Sequence, residues 1–346
     1  MRMKLLPLAC GAALCLLAAS AQATRYDVED IGHAMPRAQV VPLAINQAGV
    51  SVGDATLVDS YVQSAVLLGH GDVEVLPRTG SSSSASGINR DGHVVGTMSS
   101  PQHPDRRAFV SIKGDTRSLG TLGGATSTGR AVNDPGQIVG ASTLRGGASH
   151  AYLSEDGAMI DLGTLGGQTS EALAINDSGL VVGRAQLRNG DTHGFAWRKG
   201  RMTDLGTLGG SHAGHGSIAS AVNARGTATG QSTSAADPAL VHAVRWSERD
   251  GVQDLGTLPG GRNSFGLGLN DDGVIVGGSE IRGREFHAFI VRDSGSDRMV
   301  DLNDELDGKS GEGWVLTAAT GINARGQIIG YGTHHGRPAA FLLTPK

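Results

Sequence analysis

The sequence predicts an all-β fold: a seven-bladed β-propeller of four-stranded antiparallel blades, closed by an N-terminal strand that completes the last blade. Three observations predict it. A ten-residue anchor recurs seven times. Each copy carries four short apolar runs separated by turn residues. The chain also starts and stops out of phase with its own repeat, as a closed ring requires.

The anchor is Asn-x-x-Gly followed by a mostly β-branched run and a second glycine. It reads AINQAGVSVG at 44–53, GINRDGHVVG at 87–96, AVNDPGQIVG at 131–140 and AINDSGLVVG at 174–183. It continues as AVNARGTATG at 221–230, GLNDDGVIVG at 268–277 and GINARGQIIG at 321–330. The asparagines are Asn46, Asn89, Asn133, Asn176, Asn223, Asn270 and Asn323, spaced by 43, 44, 43, 47, 47 and 53 residues. A period of roughly 40–50 residues is that of a propeller blade.

Four strands follow from each copy. Strand A leads into the asparagine, with a small residue two positions before it (Ala44, Gly87, Ala131, Ala174, Ala221, Gly268, Gly321). The asparagine bonds its own backbone two residues on, and the glycine three positions later takes the left-handed conformation of a tight hairpin. Strand B is the run after that turn. Strand C is SAVLL at 64–68, RAFVS at 107–111, HAYLS at 150–154, HGFAW at 193–197, HAVRW at 242–246, HAFIV at 287–291 and AAFLL at 339–343. Strand D ends in Asp-Leu-Gly, as in RMTDLG at 201–206.

The chain ends carry the evidence for closure. A lone D-type strand, RYDVEDIG at 25–32, precedes the first full copy, and the last copy stops just after its C strand, RPAAFLLTPK at 337–346. A ring that pairs the first strand with the last blade explains both. An open solenoid would need polar caps and would leave strand edges exposed to aggregation.

Composition agrees. There are 54 glycines in 346 residues, about twice the usual ~7%. They fall at regular positions among plentiful valine, isoleucine and leucine, which marks turns rather than disorder.

The His150-Ala-Tyr, His193-Gly-Phe and His287-Ala-Phe runs, with DLGTLGG and IN-x-x-G-x-VVG, resemble the HAF family of probable extracellular repeat proteins. The resemblance covers essentially the whole chain after residue 23, including the closing GWVLTAATGINARGQIIGYG. The chain departs from it at Ser64, Arg107 and Ala339, where histidine is expected, and at Val75 and Ser118, where aspartate is expected. The resemblance implies an exported repeat protein and brings no activity with it.

Residues 1–23 read as a signal peptide. Arg2 and Lys4 are its positive start, Leu5 to Ala19 its apolar run, and Ala21-Gln22-Ala23 its cleavage site. The run is shorter than the ~20 apolar residues of a membrane span. The expected product is one propeller domain, 24–346, in the periplasm or outside the cell. Both cysteines, Cys10 and Cys15, lie in the part removed, so no disulfide staples the fold. Losing Arg2 and Lys4 takes the net charge from −4 to −6, which argues against nucleic acid as a partner. The expected state is a monomer.

DLGTLGG, at 161–167 and 204–210, is glycine-rich enough to suggest a phosphate loop. A Walker loop needs a lysine after the glycines, and a dinucleotide loop needs a following helix. Neither is present. The string reads instead as the step from an outer strand D to the next inner strand A, its glycines supplying unusual backbone angles. His150, His193, His242 and His287 begin strand C, and Asp30, Asp161, Asp204, Asp254 and Asp301 sit near the end of strand D. A recurring pair reads as hydrogen bonding within each blade rather than as one active site.

Function is then sought where copies differ. Arg130 and Glu171 stand in inner strands that otherwise carry small or aliphatic residues. They are expected to line the channel mouth or to pair across neighbouring blades, and are candidate binding residues. The fourth D–A link is four residues longer than its neighbours and contains His212 and His215, also candidate binding residues. With His242 as a third ligand they would make a metal site; a solvated loop is the plainer account. The stretch 301–314, DLNDELDGKSGEGW, is seven residues longer than its third-copy counterpart and gathers Asp304, Glu305 and Asp307. Oxygen-rich loops hold calcium, but the spacing is not an EF-hand and charge runs are usually solvated. No cofactor is predicted, and a divalent metal is left open.

No catalytic motif is found, although propeller enzymes assemble sites that sequence order hides. The expectation is a binding or scaffold module for an extracellular glycan or protein, its ligand face at the D–A and B–C loops. The alternative is a hydrolase or lyase acting on an extracellular polymer such as a polysaccharide.

Overall fold

The computed structural model describes residues 25–346, apart from 61, 70, 77–81, 100–104, 211–213 and 294–297. Residues 1–23, read above as a signal peptide, lie outside the described residues. Seven four-stranded antiparallel sheets follow one another around a ring. Blade one is Ala38–Ile45, Ser51–Leu57, Gln63–Leu68 and Val73–Val75; blade two is Ser82–Ile88, Val94–Ser99, Arg107–Ile112 and Asp115–Gly120. Blade three is Gly123–Val132, Ile138–Leu144, Ser149–Glu155 and Ala158–Gly163; blade four is Gly166–Ile175, Val181–Leu187, Thr192–Arg198 and Arg201–Asp204. Blade five is Ser217–Val222, Ala228–Thr233, Val241–Ser247 and Gly251–Asp254; blade six is Ser264–Leu269, Ile275–Glu280, Phe286–Val291 and Met299–Asp301. Blade seven takes Trp314–Ile322, Ile328–His334 and Arg337–Pro345 from the C-terminal end, and its outer strand is Tyr26–Asp30.

The predicted closure is therefore present. Tyr26 pairs with Pro345 and Asp30 with Phe341 in one antiparallel register. Strand D differs in detail from expectation: in blades four and five it stops at Asp204 and Asp254, before the glycine.

The second glycine of each anchor has a packing cause. Strand A bulges in every blade just before the small residue that stands two before the asparagine, for example between Ala172 and Ala174 and between Ala219 and Ala221; blades three, four and seven carry a second shift earlier in the strand. The bulge turns a strand-A carbonyl onto the strand-B glycine. A Cβ on Gly53, Gly96, Gly140, Gly183, Gly230, Gly277 or Gly330 would lie 1.9–2.1 Å from that oxygen. Only glycine fits. In five blades the bare glycine also faces a C-strand aromatic: Phe109, Tyr152, Phe195, Phe289 and Phe341. These rings are 0–2% exposed, and burying each contributes about 1.5–3 kcal/mol. They are the centre of the inter-blade core.

The A–B turns do more than reverse the chain. The side-chain oxygen of Asn176 accepts from the N–H of Ser178 and of Leu180, and Gly179 sits at φ 76°. The side-chain nitrogen points along the ring. Asn46 donates to the carbonyl of Asn89, Asn89 to Asn133, Asn133 to Asn176, Asn176 to Asn223, Asn223 to Asn270, Asn270 to Asn323 and Asn323 to Asn46, at 2.8–3.3 Å. Seven buried amides thus form one circular belt around one end of the channel. An aspartate would satisfy the turn but could not donate to the next blade.

Candidate binding site

The A–B and C–D turns lie at the belt end. The B–C turns and D–A links lie at the other, and there the predicted histidines and aspartates meet. His150 reaches Asp161, His193 reaches Asp204 and His242 reaches Asp254, each through Nδ1 at 2.9 Å, and His287 reaches Asp301 at 2.6 Å. Each aspartate also accepts a backbone N–H two residues on: Gly163, Gly206, Gly256 and Asn303. A serine of the next inner strand completes the joint. Ser170 accepts the N–H of Ala151 at 2.8 Å and donates to the Gly163 carbonyl; Ser217 and Ser264 do the same for Gly194 with Gly206 and Ala243 with Gly256. The hydrogen bond to Asp254 raises the His242 imidazole above its ordinary value against the effect of burial. Each His–Asp pair braces its own blade, and the serine latches that blade to the next.

DLGTLGG belongs to the same joint. Thr164 and Thr207 donate to the carbonyls of Gly167 and Gly210, and the Leu208 N–H goes to Ser232. The string's polar groups face the protein's own backbone rather than a ligand.

Against this repeated background one charged cluster stands apart. Arg130 of blade three and Glu171 of blade four pair across the joint, with Nε to Oε1 at 2.8 Å. Arg184, from the second strand of blade four, grips the other oxygen at 2.6 Å through Nη2 and 3.0 Å through Nε. Burial disfavours the ionised carboxylate, but Arg130 and Arg184 outweigh it and hold Glu171 below its ordinary value. The Glu171 side chain is 12% exposed, whereas Arg130 is 42% and Arg184 48% exposed. Two guanidinium groups against one carboxylate leave the cluster positive and half in solvent.

Two small cavities meet at Arg184 and Thr192. One, of about 190 Å³, is lined by Ser149, Thr169, Ser170, Glu171 and Gln186. The other, of about 250 Å³, is lined by Gly216, Ser217, Gln231, Thr233 and Val241. The stretched link borders the second. His215 is buried there, its Nδ1 3.0 Å from the Thr233 hydroxyl, packed so closely on Gly209 that a Cβ would meet the ring at 2.1 Å. His212 lies outside the described residues. His242 is held by Asp254 in the same blade and by the backbone of Arg262.

Sequence reasoning found Arg130 and Glu171 but missed Arg184. Its signal was available: the eighth residue after the anchor asparagine is Asp54, Thr97, Ala141, Arg184, Gln231, Gly278 and Tyr331 in turn.

The acidic stretch has its own place. Leu302–Glu305 forms a 3-10 turn. Glu305 is 5% exposed and takes a bidentate grip from Arg292 at 2.9 and 2.5 Å. Asp307 holds Lys346 at 2.9 Å, and the same ammonium lies 3.1 Å from Asp27. The Asp307 N–H donates to the Tyr26 carbonyl, and Ser310 reaches Asp27. Asp304 is exposed. The extra residues are a clasp that ties the closing strand Tyr26–Asp30 to the end of Arg337–Pro345 through Lys346. Among the described residues no three histidine, cysteine, aspartate or glutamate side chains gather as a metal-ligand group.

No family model matches the chain, and no curated protein matches it. Solved structures do. The β-propeller domain of the Trilobed protease from Pyrococcus furiosus, described as having an open velcro topology, is similar at TM-score 0.58 with 8% identity, over 89% of this chain and 97% of that one. YCF48 bound to D1 peptide is similar at TM-score 0.51 with 10% identity, over 92% and 96%. TolB from Acinetobacter baumannii gives TM-score 0.49 with 12% identity over 74% of this chain, which spans 61% of the TolB chain. These likenesses are of fold. The chain is a seven-bladed β-propeller, and no helix among its described residues is long and apolar enough to cross a membrane.

Proposed function

We propose that the protein is an exported binding or scaffold module, with its ligand on the B–C and D–A rim over blades three to five. One observation carries this reading. The repeated polar groups of that rim are spent on joints within and between blades, while Arg130, Glu171 and Arg184 form a copy-specific, positively charged cluster open to solvent and to two small cavities. Such a cluster suits the carboxylates of an acidic glycan or peptide, because a guanidinium recognises a carboxylate in bidentate fashion. Export rests on the N-terminal pattern and on the resemblance to HAF repeats. The polymer-hydrolase alternative needs a carboxylate that gives and takes a proton, and Glu171 clamped by two arginines is poorly suited to that.

The test is a glycan and peptide array probed with residues 24–346 and with an Arg184→Ser variant. Binding of acidic probes that weakens in the variant supports the reading; equal binding by both proteins overturns it. A metal held by the His212–His215 loop is checked separately. If such a site exists, chelator lowers the melting temperature.

A further inference from the structure

On the belt side of the molecule, far from the latches, a cleft of about 570 Å³ opens between blades four and five. Its size is that of a small-molecule site, roughly 300–1,000 Å³. Its floor is apolar: Leu180, Val182, Ala196, Ala228 and Trp246. Trp246 is 2% exposed. Its indole N–H is buried with no hydrogen-bond partner among the described residues, so a donor next to the floor goes unused. Buried indole N–H groups ordinarily find a partner.

The rim is cationic. Arg198 and Arg201 come from the C–D turn of blade four, Arg225 from the A–B turn of blade five and Arg249 from its C–D turn; Glu248 is the one carboxylate lining the cleft. The rim is not consumed by ion pairs. Arg198 is bonded to the Ser178 hydroxyl at 2.7 Å, Arg249 lies 3.7 Å from Asp250 with 92% of its side chain exposed, and the Gly273 turn brings Asp293 near Arg225. Four cations over an apolar floor complement a ligand that is apolar at one end and anionic at the other.

We propose that this cleft binds a small amphiphilic carboxylate, its apolar body against Trp246 and Leu180 and its carboxylate among Arg198, Arg201, Arg225 and Arg249. The site is on the opposite rim from the Arg130–Glu171–Arg184 cluster and does not depend on the function proposed for it.

The probe is dodecanoate, followed by calorimetry and by tryptophan fluorescence. One dodecanoate is expected to bind per chain, saturably and with a change in emission. Dodecanol, with the same tail and no charge, is expected to bind at least about tenfold more weakly. The Arg198→Glu/Arg201→Glu variant, changed only at exposed positions, should keep its melting temperature and lose about tenfold in affinity. Thr227→Trp, which narrows the cleft, should abolish binding, and Arg184→Ser should leave it unchanged. Absence of saturable binding overturns the proposal, as does equal affinity of dodecanol or of the double-glutamate variant. Saturable binding of an acidic, tryptophan-containing peptide that excludes dodecanoate also overturns it, by assigning the cleft to a protein partner.

Discussion

The two ends of the channel are built on opposite terms. At the belt end, all seven asparagines accept the N–H four residues on and donate to the next blade, and five of them also accept the N–H two residues on. At the latch end, the joints differ: four have a histidine with its aspartate, one adds Arg130, Glu171 and Arg184, one is stretched around His215, and one is bound by a clasp. Identical joints distribute the work of holding the ring. Joints that differ are where a chain can acquire a ligand without loosening the rest.

The largest expected effect tests closure itself. Deleting residues 24–32 removes Tyr26, which is 3% exposed, and bares the edge of Arg337–Pro345 to a missing partner. The truncated chain is expected to lose its cooperative melting transition in circular dichroism; a transition like the parent's would break the ring model. Next comes the belt. Asn176→Ala strands the buried carbonyl of Asn223 and the N–H groups of Ser178 and Leu180, and is expected to cost about 2–3 kcal/mol in denaturant unfolding. Asn176→Asp keeps the turn but not the donor, so it should also destabilise. If it matches the parent, the link between blades contributes nothing.

Smaller effects sharpen the contrast. Glu171→Gln is expected to cost about 1–2 kcal/mol at neutral pH, because both arginines it leaves behind are half exposed and rehydrate. Since Glu171 titrates below its ordinary value, its contribution is present above that value and is lost as pH falls. The gap between parent and variant should therefore close in acid; a constant gap would show that packing, not charge, is at work. Tyr152 occupies the place of phenylalanine in four other blades, and its hydroxyl is buried with no partner among the described residues. Tyr152→Phe is expected to stabilise by about 1 kcal/mol, read as a raised denaturation midpoint.

The smallest effect is at a His–Asp pair. Asp254→Asn should cost under about 1 kcal/mol, since the Asp254 side chain is 43% exposed. The His242 contribution is complete below its ordinary value of 6.5 and fades as pH rises through its raised one. For Asp254, burial opposes ionisation but His242 and the Gly256 N–H hold it below its ordinary 3.8, so its contribution fades as pH falls. The difference from the parent should peak between those two values. A peak elsewhere would assign the pair a different role.

The blades were legible because repetition averages out local ambiguity: a turn of Asn-x-x-Gly seen once is weak, and seen seven times in register with strands it defines an architecture. Arg130 and Glu171 were legible as charges in an otherwise uncharged strand position. Arg184 was not, because the second strand was read only for its apolar run. The belt escaped notice because asparagine already explains a turn; that aspartate never replaces it at the anchor was the available signal. The clasp was hidden for another reason. Asp307, Lys346 and Asp27 are brought together only by ring closure, and an acidic run gives no hint of partners so far apart in sequence.

The clasp also sets an order of assembly. Tyr26–Asp30 are made long before their partners, Phe341–Pro345. Throughout synthesis the opening strand has no sheet to join, and the first and last inner strands cannot meet. The circle is shut only after Phe341–Pro345 arrive, and contacts so distant along the chain are slow to find. The finished ring is thus postponed until strands more than 300 residues apart are both available. The Lys346 ammonium, held by Asp27 and Asp307, fastens it.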